Sequence, residues 1–558
     1  MGPSAALIRP ARFSGWIAAT FYLGIVLALW APFNLFSGMP YETGFVYTSE
    51  VSTWWNGFLF GADWSRIHTS TFFQVPYLVG ELTGFAGSWV PYQVVYAALW
   101  WARGFLMFLI VRRLAPGHDA FAFLAGALAL VHSSDFTTGW VGQMPQQAYI
   151  FWMLAAFYLL LRALDEPGRG RARVCLGGAM VCEAMSLWTY ESPIVLIVFA
   201  PVLLFWLRRK TSGKLRVAWW GWYAVPAIYV AFAAARYMRA GGHTYQESVL
   251  RKNWAVGPML GDWAFNIGAS LRFWAWAGVG PSRAATEQVA VFALMAVAAM
   301  LAGAMVLAAG APWPDARTLI GAMVAGVGMV VLSFPVYLLL DSARSLWRTQ
   351  ILSGIGAGLV FSAGIAFCAA WARASWLRVI LMGGLGAWVC WCGSYSALEK
   401  SAGHRWNWEL HKRAMAEVLA AAPRVKPGTL ILYKNVPGGA EDPFAGDNTW
   451  FDMALRLAYP GTPVAGAYWH TDGTAAQGPR PLLEKDGTWI LPGNPLIERG
   501  DARSVLVVEY SQQSASIADH FPDFLGVGAR AAELYNPRAR IEAGRVSERA
   551  TRRYGVLR

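Results

Sequence analysis

Residues 287–310 read EQVAVFALMAVAAMLAGAMVLAAG, an apolar run in which Glu287 is the only charge. At 1.5 Å per residue a helix over this stretch is about 36 Å long, enough to cross a hydrocarbon core of about 30 Å. Similar runs lie near 14–36, 91–111, 119–132, 145–163, 173–190, 192–207, 217–236, 318–340, 349–371 and 378–397. Hydropathy therefore predicts about eleven membrane-spanning helices, with the runs at 119–132 and 192–207 short for a crossing. Composition agrees: 56% of the 558 residues are hydrophobic and only 14% charged, against about 25% charged in ordinary soluble domains. A simple soluble enzyme is excluded. The net charge of +13 has to be read by location, because no Lys/Arg-rich DNA-binding motif and no phosphate loop accompanies it; no nucleic-acid partner is expected.

The connections between the runs give a second, independent pattern. Arg9 and Arg12 precede the first run, Arg112 and Arg113 follow the second, and Arg169, Arg171 and Arg173 lie before the fifth. Arg208, Arg209, Lys210, Lys214 and Arg216, then Arg317, then Arg373 and Arg378 continue the series, so every second connection is basic. By the positive-inside rule those turns and the amino terminus are cytoplasmic. An odd number of spans then places the carboxy-terminal segment outside, in the periplasm or extracellular space of a bacterial cell whose inner membrane holds the bundle. The first run is too long, and lacks a small-residue cleavage site, for a removable signal.

Two domains are predicted, 1–398 in the membrane and 399–558 as a soluble extracytoplasmic domain. In the second, Leu410–Leu419 reads as an amphipathic helix, Thr429–Tyr433 (TLILY) as a strand, Trp450–Tyr459 as a helix and Ser504–Tyr510 (SVLVVEY) as a buried strand, an α/β pattern. The last twenty residues are Arg-rich and read as a solvated or partly disordered end near anionic lipid. Cys175, Cys182, Cys368, Cys390 and Cys392 lie in or beside apolar runs and read as small buried hydrophobes rather than a disulfide or metal framework.

Chemistry is sought among charges outside the membrane. The first outside loop, 37–90, carries Glu42, Glu50, Asp63, His68 and Glu81 among aromatic residues, in amphipathic stretches suited to the membrane surface. The basic outside loop, 236–285, gathers Arg239, Arg251 and Lys252, with Tyr245 and Gln246 between them. Guanidinium groups grip phosphate oxygens through paired hydrogen bonds and lysine adds a point charge, so a lipid phosphate or diphosphate suits the cluster; snorkelling at the lipid interface suits it equally. Arg344 and Arg348, in DSARSLWRTQ, form a second outside pair ahead of a span, where the helix dipole does not favour cations. Asp135, Glu191 and Asp341 are acids at short outside turns, read either as site residues or as caps and turn formers. Trp54, Trp55, Trp64, Trp89, Trp140, Trp188, Trp254, Trp263, Trp274 and Trp276 crowd the same loops, as an interfacial belt or, for a few, as platforms for sugar rings. Arg103 and Glu183, each costly alone in a bilayer, are expected to pair.

Taken in order, an amino-terminal span, the acidic loop 37–90, HSSDFTTGW (132–140), WTYESP (188–193), LWRTQ (346–350) and an appended outside domain resemble the polytopic GT-C class of glycosyltransferases. The resemblance covers most of the chain. It implies an integral membrane enzyme that moves a sugar from a polyprenyl-phosphate donor to a glycan, lipid or protein acceptor at the outer face, with an acidic catalytic residue in the first outside loop. Glu50, just before Trp54–Trp55, is ranked first as general base, with Glu42 and Asp63 next. Arg239, Arg251, Lys252, Arg344 and Arg348 are assigned to the donor phosphate, with Tyr245 and Gln246 orienting donor hydroxyls. The adjacent acidic pair common in this class is absent, which leaves a divalent metal open. The alternatives are a glycan polymerase or ligase with a diphosphate-linked donor, a lipid or glycan transporter, and a noncatalytic scaffold.

Overall fold

The structure is a computed structural model. It describes residues 11–41, 46–47, 50, 67–207, 215–239, 250–252, 254–273, 286–308, 313–341, 343–344, 346–484, 486–492, 494, 496–511, 515–521 and 529–556. In chain order the helices of the first three-quarters are α1 (Ala11–Asn34), α2 (Ile67–Thr83), α3 (Val90–Leu114), α4 (Asp119–Val131), α5 (Met144–Asp165), α6 (Arg169–Thr189), α7 (Ile194–Leu207), α8 (Leu215–Arg239), α9 (Val256–Leu271), α10 (Thr286–Ala308), α11 (Ala316–Leu332), α12 (Gly354–Ala370) and α13 (Ser375–Ala421). Each of the eleven apolar runs carries a helix, but forming a helix and crossing a bilayer are different demands. Among the described residues six helices are long and apolar enough to cross: Ser14–Asn34, Val90–Leu114, Val141–Asp165, Glu287–Ala308, Ala316–Leu339 and Ser375–Ala421. Helices α2 and α9 occupy stretches that the sequence reading treats as loops.

The described residues of 1–35, 59–72 and 94–403 form one compact unit, and those of 36–58, 73–93 and 404–558 the other. In the first unit α4 is the hub. It packs against α1, α10 and α12, and all its residues from Ala120 to Val131 are buried. At 13 residues it is only about 20 Å long, too short to span a bilayer by itself. Small residues let its neighbours approach. A Cβ on Gly126 would lie 2.6 Å from the Gly104 carbonyl oxygen, and one on Gly358 would lie 2.6 Å from the Ala129 nitrogen. Tyr22 from α1 donates to the Phe123 carbonyl at 2.8 Å and Trp100 from α3 to that of Leu130 at 3.0 Å. Arg103 also points at this helix and donates to the Ala129 and Leu130 carbonyls. The expected pairing with Glu183 is therefore not formed: Arg103 is taken by the carbonyls at the end of α4, and neither carboxylate oxygen of buried Glu183 has a hydrogen-bond partner among the described residues.

Helix α13 runs 47 residues without a break, so the separate helix expected at Leu410–Leu419 is its last part. Residues 398–410, LEKSAGHRWNWEL, contain no proline and several good helix formers, and Arg405 bridges Glu409 one turn later at 2.9 Å. Pro423 lies two residues beyond its end.

The second unit contains β1 (Thr429–Val436), α14 (Asn448–Ala458), β2 (Val464–His470), β3 (Leu482–Leu483), β4 (Thr488–Ile490), β5 (Arg499–Asp501), β6 (Val505–Glu509), β7 (Ser516–Ile517), α15 (Ala529–Leu534) and α16 (Glu548–Tyr554). The order of the main sheet is β2-β1-β6-β7, with β1 parallel to both β2 and β6 and β7 antiparallel to β6. The parallel strands are nearly continuous apolar runs, as strands covered on both faces require. Helix α14 connects β1 to β2, capped by Asp447, which accepts from the Thr449 nitrogen at 2.8 Å. It lies close over β2: a Cβ on Gly466 would sit 2.8 Å from the Phe451 ring. Strands β3, β4 and β5 make a second, antiparallel sheet.

The Arg-rich end is folded within the second unit, with Arg553 buried and Arg545 and Arg552 exposed. Helix α16 is pinned by Arg549 to Glu81 at 2.8 Å, by Arg553 to Glu50, and by the Tyr554 hydroxyl to the Ala454 carbonyl at 3.2 Å. Two of the arginines that suggested a lipid-facing tail, Arg549 and Arg553, are answered by carboxylates of the first loop, a partnership invisible to local composition.

Candidate functional site

In the first unit three irregular segments meet. The chain leaves α4 through His132–Trp140; residues 250–252 run beside 339–341, with a bridge between Leu250 and Leu340 and a hydrogen bond of 2.8 Å from the Arg251 nitrogen to the Leu339 carbonyl; and residues 346–353 lead into α12. Residues 339–341 lie beyond α11 because that helix stops at Leu332, shortly before Pro335, which disfavours helix in the residue preceding it. The apolar run 349–371 likewise becomes helical only from Gly354.

Asp135 organises the meeting. Its carboxylate accepts from the Thr137 nitrogen at 2.8 Å, from the Thr137 hydroxyl, and from the Gln350 nitrogen at 3.0 Å. The Phe136 nitrogen donates to the Leu346 carbonyl at 3.0 Å, a second tie between the same segments. Burial pushes the Asp135 carboxyl above the usual carboxylate range, opposed by the bonds from Thr137 and Gln350. Between those ties Arg348 adopts φ +68°, a left-handed conformation uncommon outside glycine. Its guanidinium lies over the rings of Trp140 and Trp347, 5.6 and 6.0 Å from their centroids. Lys400 of α13 reaches the Ser133 carbonyl in the same turn.

From Gln350 the network continues. Its side chain donates to Asn266 at 2.8 Å and accepts from Ser270 at 2.7 Å. Asn266 donates to the Ala343 carbonyl at 2.7 Å and to the Asp262 carbonyl at 2.9 Å. One turn earlier on α9, Asp262 holds two arginines: Arg251 on Oδ2, and Arg344 on Oδ1 at 2.5 Å. The hydrogen bond from Arg251 holds the Asp262 carboxyl below its ordinary range; burial opposes it and the bond from Arg344 adds to it. The two arginines differ in access. The Arg251 side chain is 8% exposed, that of Arg344 62%. Gly261 makes room for the second, since a Cβ there would lie 3.2 Å from an Arg344 Nη.

Four residues singled out from sequence thus share one connected network: Asp135, Arg251, Arg344 and Arg348. Lys252 is exposed and its nitrogen donates to exposed Asp341 at 3.2 Å. Arg239 ends α8 and is exposed, and Glu191 is half-buried in the turn after α6. His68 is a residue of α2. Glu42, Asp63, Tyr245 and Gln246 lie outside the described residues. Glu50 belongs to the second unit, where both of its oxygens face Arg553, whose guanidinium also lies 5.5 Å from the Trp89 ring centroid. Among the described residues no group of three or more His, Cys, Asp or Glu side chains is placed to hold a metal ion. Sequence reading missed Asp262, Asn266, Gln350 and Lys400. Asp262 carried a signal, one of only two acids, with Glu247, in a loop otherwise rich in cations.

The fold and this network define a polytopic α-helical membrane protein with a carboxy-terminal α/β unit. No protein-family model matches the chain, and no curated protein matches it. Among solved structures it is similar to the crystal structure of ArnT from Cupriavidus metallidurans in the apo state, over 82% of this chain and 94% of that chain, at 14% identity and a TM-score of 0.39.

Proposed function

We propose that the chain is an integral membrane glycosyltransferase of the GT-C class, which transfers a sugar from a polyprenyl-phosphate donor to an acceptor hydroxyl at the outer face of the bacterial inner membrane. The observation that carries this reading is the arginine pair on Asp262: an exposed guanidinium, Arg344, is steadied by a buried carboxylate that a second arginine neutralises. Such an arrangement suits an anion whose charge grows during reaction. As the acceptor oxygen bonds to the anomeric carbon, the bond from that carbon to the phosphate oxygen breaks and its electron pair stays on the phosphate. Arg344 and Arg348 stabilise that charge, with Arg239 and Lys252 completing a basic rim and Tyr245 and Gln246 orienting the donor. A first-loop carboxylate takes the hydroxyl proton. Since Glu50 is held by Arg553, the role falls to Glu42 or Asp63. The amino terminus is cytoplasmic in this reading, as the alternating basic turns support.

The test is transfer from a radiolabelled polyprenyl-phosphate sugar by protein in nanodiscs. Arg344→Ala and Arg348→Ala should each lower kcat/KM by tenfold or more. Glu42→Gln or Asp63→Asn should lower kcat by roughly 10²–10⁴. Turnover only with a diphosphate-linked glycan would move the assignment to a polymerase or ligase, and binding without turnover would remove the enzymatic reading.

A further inference from the structure

Immediately after Trp140 the chain makes a short 3-10 turn, Val141–Gln143, and enters α5. This junction carries three glutamines, Gln143, Gln146 and Gln147, with exposures of 0, 3 and 1%. Gln143 stands at the amino-terminal cap of α5, yet its side chain makes no capping bond. Both its amide oxygen and its amide nitrogen lack a hydrogen-bond partner among the described residues, as do the amide oxygens of Gln146 and Gln147. The Gln147 nitrogen contacts the Tyr96 hydroxyl at 3.5 Å, and that hydroxyl also accepts from the Gly139 nitrogen at 3.1 Å.

Native proteins pair nearly all buried polar atoms, and a group left unpaired lowers stability, so a concentration of them at one place calls for a binding function. The balance of atoms identifies the ligand class. Three of the four unpartnered amide atoms are acceptors. The phosphodiester of a polyprenyl-phosphate sugar offers acceptors only and is a poor match, whereas the sugar presents several O–H donors. The location fits as well: the Trp140 ring lies under Arg348 and packs so closely on Gly142 that a Cβ there would come within 2.6 Å. The glutamines therefore follow directly, in sequence, the ring that supports a phosphate-binding arginine.

We propose that Gln143, Gln146 and Gln147 form the subsite that reads the hydroxyl groups of the donor sugar. This rests on the donor reading of the arginines given above, which concerns the phosphate alone.

The experiment is thermal unfolding of the full-length protein in nanodiscs, alone, with a short-chain polyprenyl phosphate, and with that lipid phosphate carrying glucose, galactose, mannose or arabinose. The variants are Gln143→Met and Gln146→Met, which keep length and remove the amide. Wild type should be stabilised by the bare lipid phosphate and by several further degrees with at least one glycosylated form. Both variants should unfold without ligand at the same temperature as wild type or higher, keep the shift from the bare lipid phosphate, and lose at least half of the sugar increment. A drop of several degrees in the unliganded variants would show that the amides are satisfied structurally and overturn the assignment. So would an undiminished sugar increment, or a wild type that responds to the bare lipid phosphate and to no sugar. No response of wild type to the bare lipid phosphate would overturn the donor reading, and the sugar subsite with it.

Discussion

Asp262→Asn is the most informative single change. The substitution keeps the shape and one acceptor but removes the charge shared by Arg251 and Arg344. A hydrogen bond to a charged partner contributes about 1.5–3 kcal/mol when buried, which applies to Arg251 at 8% exposure. The Arg344 bond, with a side chain 62% exposed, is screened by water and contributes about 0.2–1 kcal/mol. The expected loss is therefore about 2–4 kcal/mol, nearly all of it through Arg251. At roughly 2 °C per kcal/mol for a large unit, the apparent Tm in nanodiscs should fall by about 4–8 °C at a fixed scan rate. Because the folded carboxyl is held below its ordinary value, its stabilisation is complete above the unfolded pKa of about 3.9 and is lost as pH falls through the lower folded value. The difference between wild type and variant should thus be constant from pH 8 to pH 5 and shrink only in stronger acid. A double-mutant cycle supplies the decisive comparison: coupling of Asp262 to Arg251 should exceed its coupling to Arg344 by at least about 0.5 kcal/mol, the gap between the two ranges above. Equal couplings, or a Tm unchanged within 1 °C, would refute the assignment of Arg251 as the structural partner and Arg344 as the available one.

Other substitutions probe neighbouring steps of the argument. Glu50→Gln leaves Arg553 buried without a counter-charge and should destabilise the second unit by about 3–5 kcal/mol, whereas Glu50→Gln with Arg553→Met should recover most of that loss; limited proteolysis near residue 548 reads both. Asp135→Asn presents a donor to at least one of the donors that Asp135 now accepts from, so hydrogen exchange at Gln350 should accelerate by tenfold or more while α12 stays protected. Gly126→Val, placed against Gly104 and Tyr22, should cost about 1–3 kcal/mol by overpacking, measured as a lowered Tm. Arg103→Met and Glu183→Gln should be additive within about 0.5 kcal/mol, since the two side chains do not pair; a larger coupling would restore the pairing expected from sequence.

Hydropathy located helices over every apolar run because each is long enough for its own composition to decide local structure. It did not settle how many of them cross, because α4 is as apolar as any span and is buried by its neighbours rather than by lipid. The strands TLILY and SVLVVEY were legible for the same local reason, whereas α13 was divided in the sequence reading where charge rises, although nothing in residues 398–410 stops a helix. Among site residues, Arg251, Arg344 and Arg348 were found through charge on the wrong side of the expected pattern, and Asp135 as an acid in a short outside turn. Asn266 and Gln350 were not, because neutral amides gain their meaning only from partners 84 residues away in sequence.

The two arginine–carboxylate pairs show why a list of charges could not separate structural from functional cations. Glu50–Arg553 and Asp262–Arg344 are alike in chemistry, and both join segments far apart in the chain. Their difference is access. Arg553 is 1% exposed, so its guanidinium is spent on Glu50 and has no face left for a ligand. Arg344 is bound through Nε alone and is 62% exposed, while Asp262 behind it is already neutralised by buried Arg251. The second arginine therefore sits on a site of net positive charge, and the first on a site of none. Only a cation of the second kind can meet an incoming phosphate without first breaking an ion pair, and this is why the donor phosphate is assigned to Arg344 and not to the Arg-rich end of the chain.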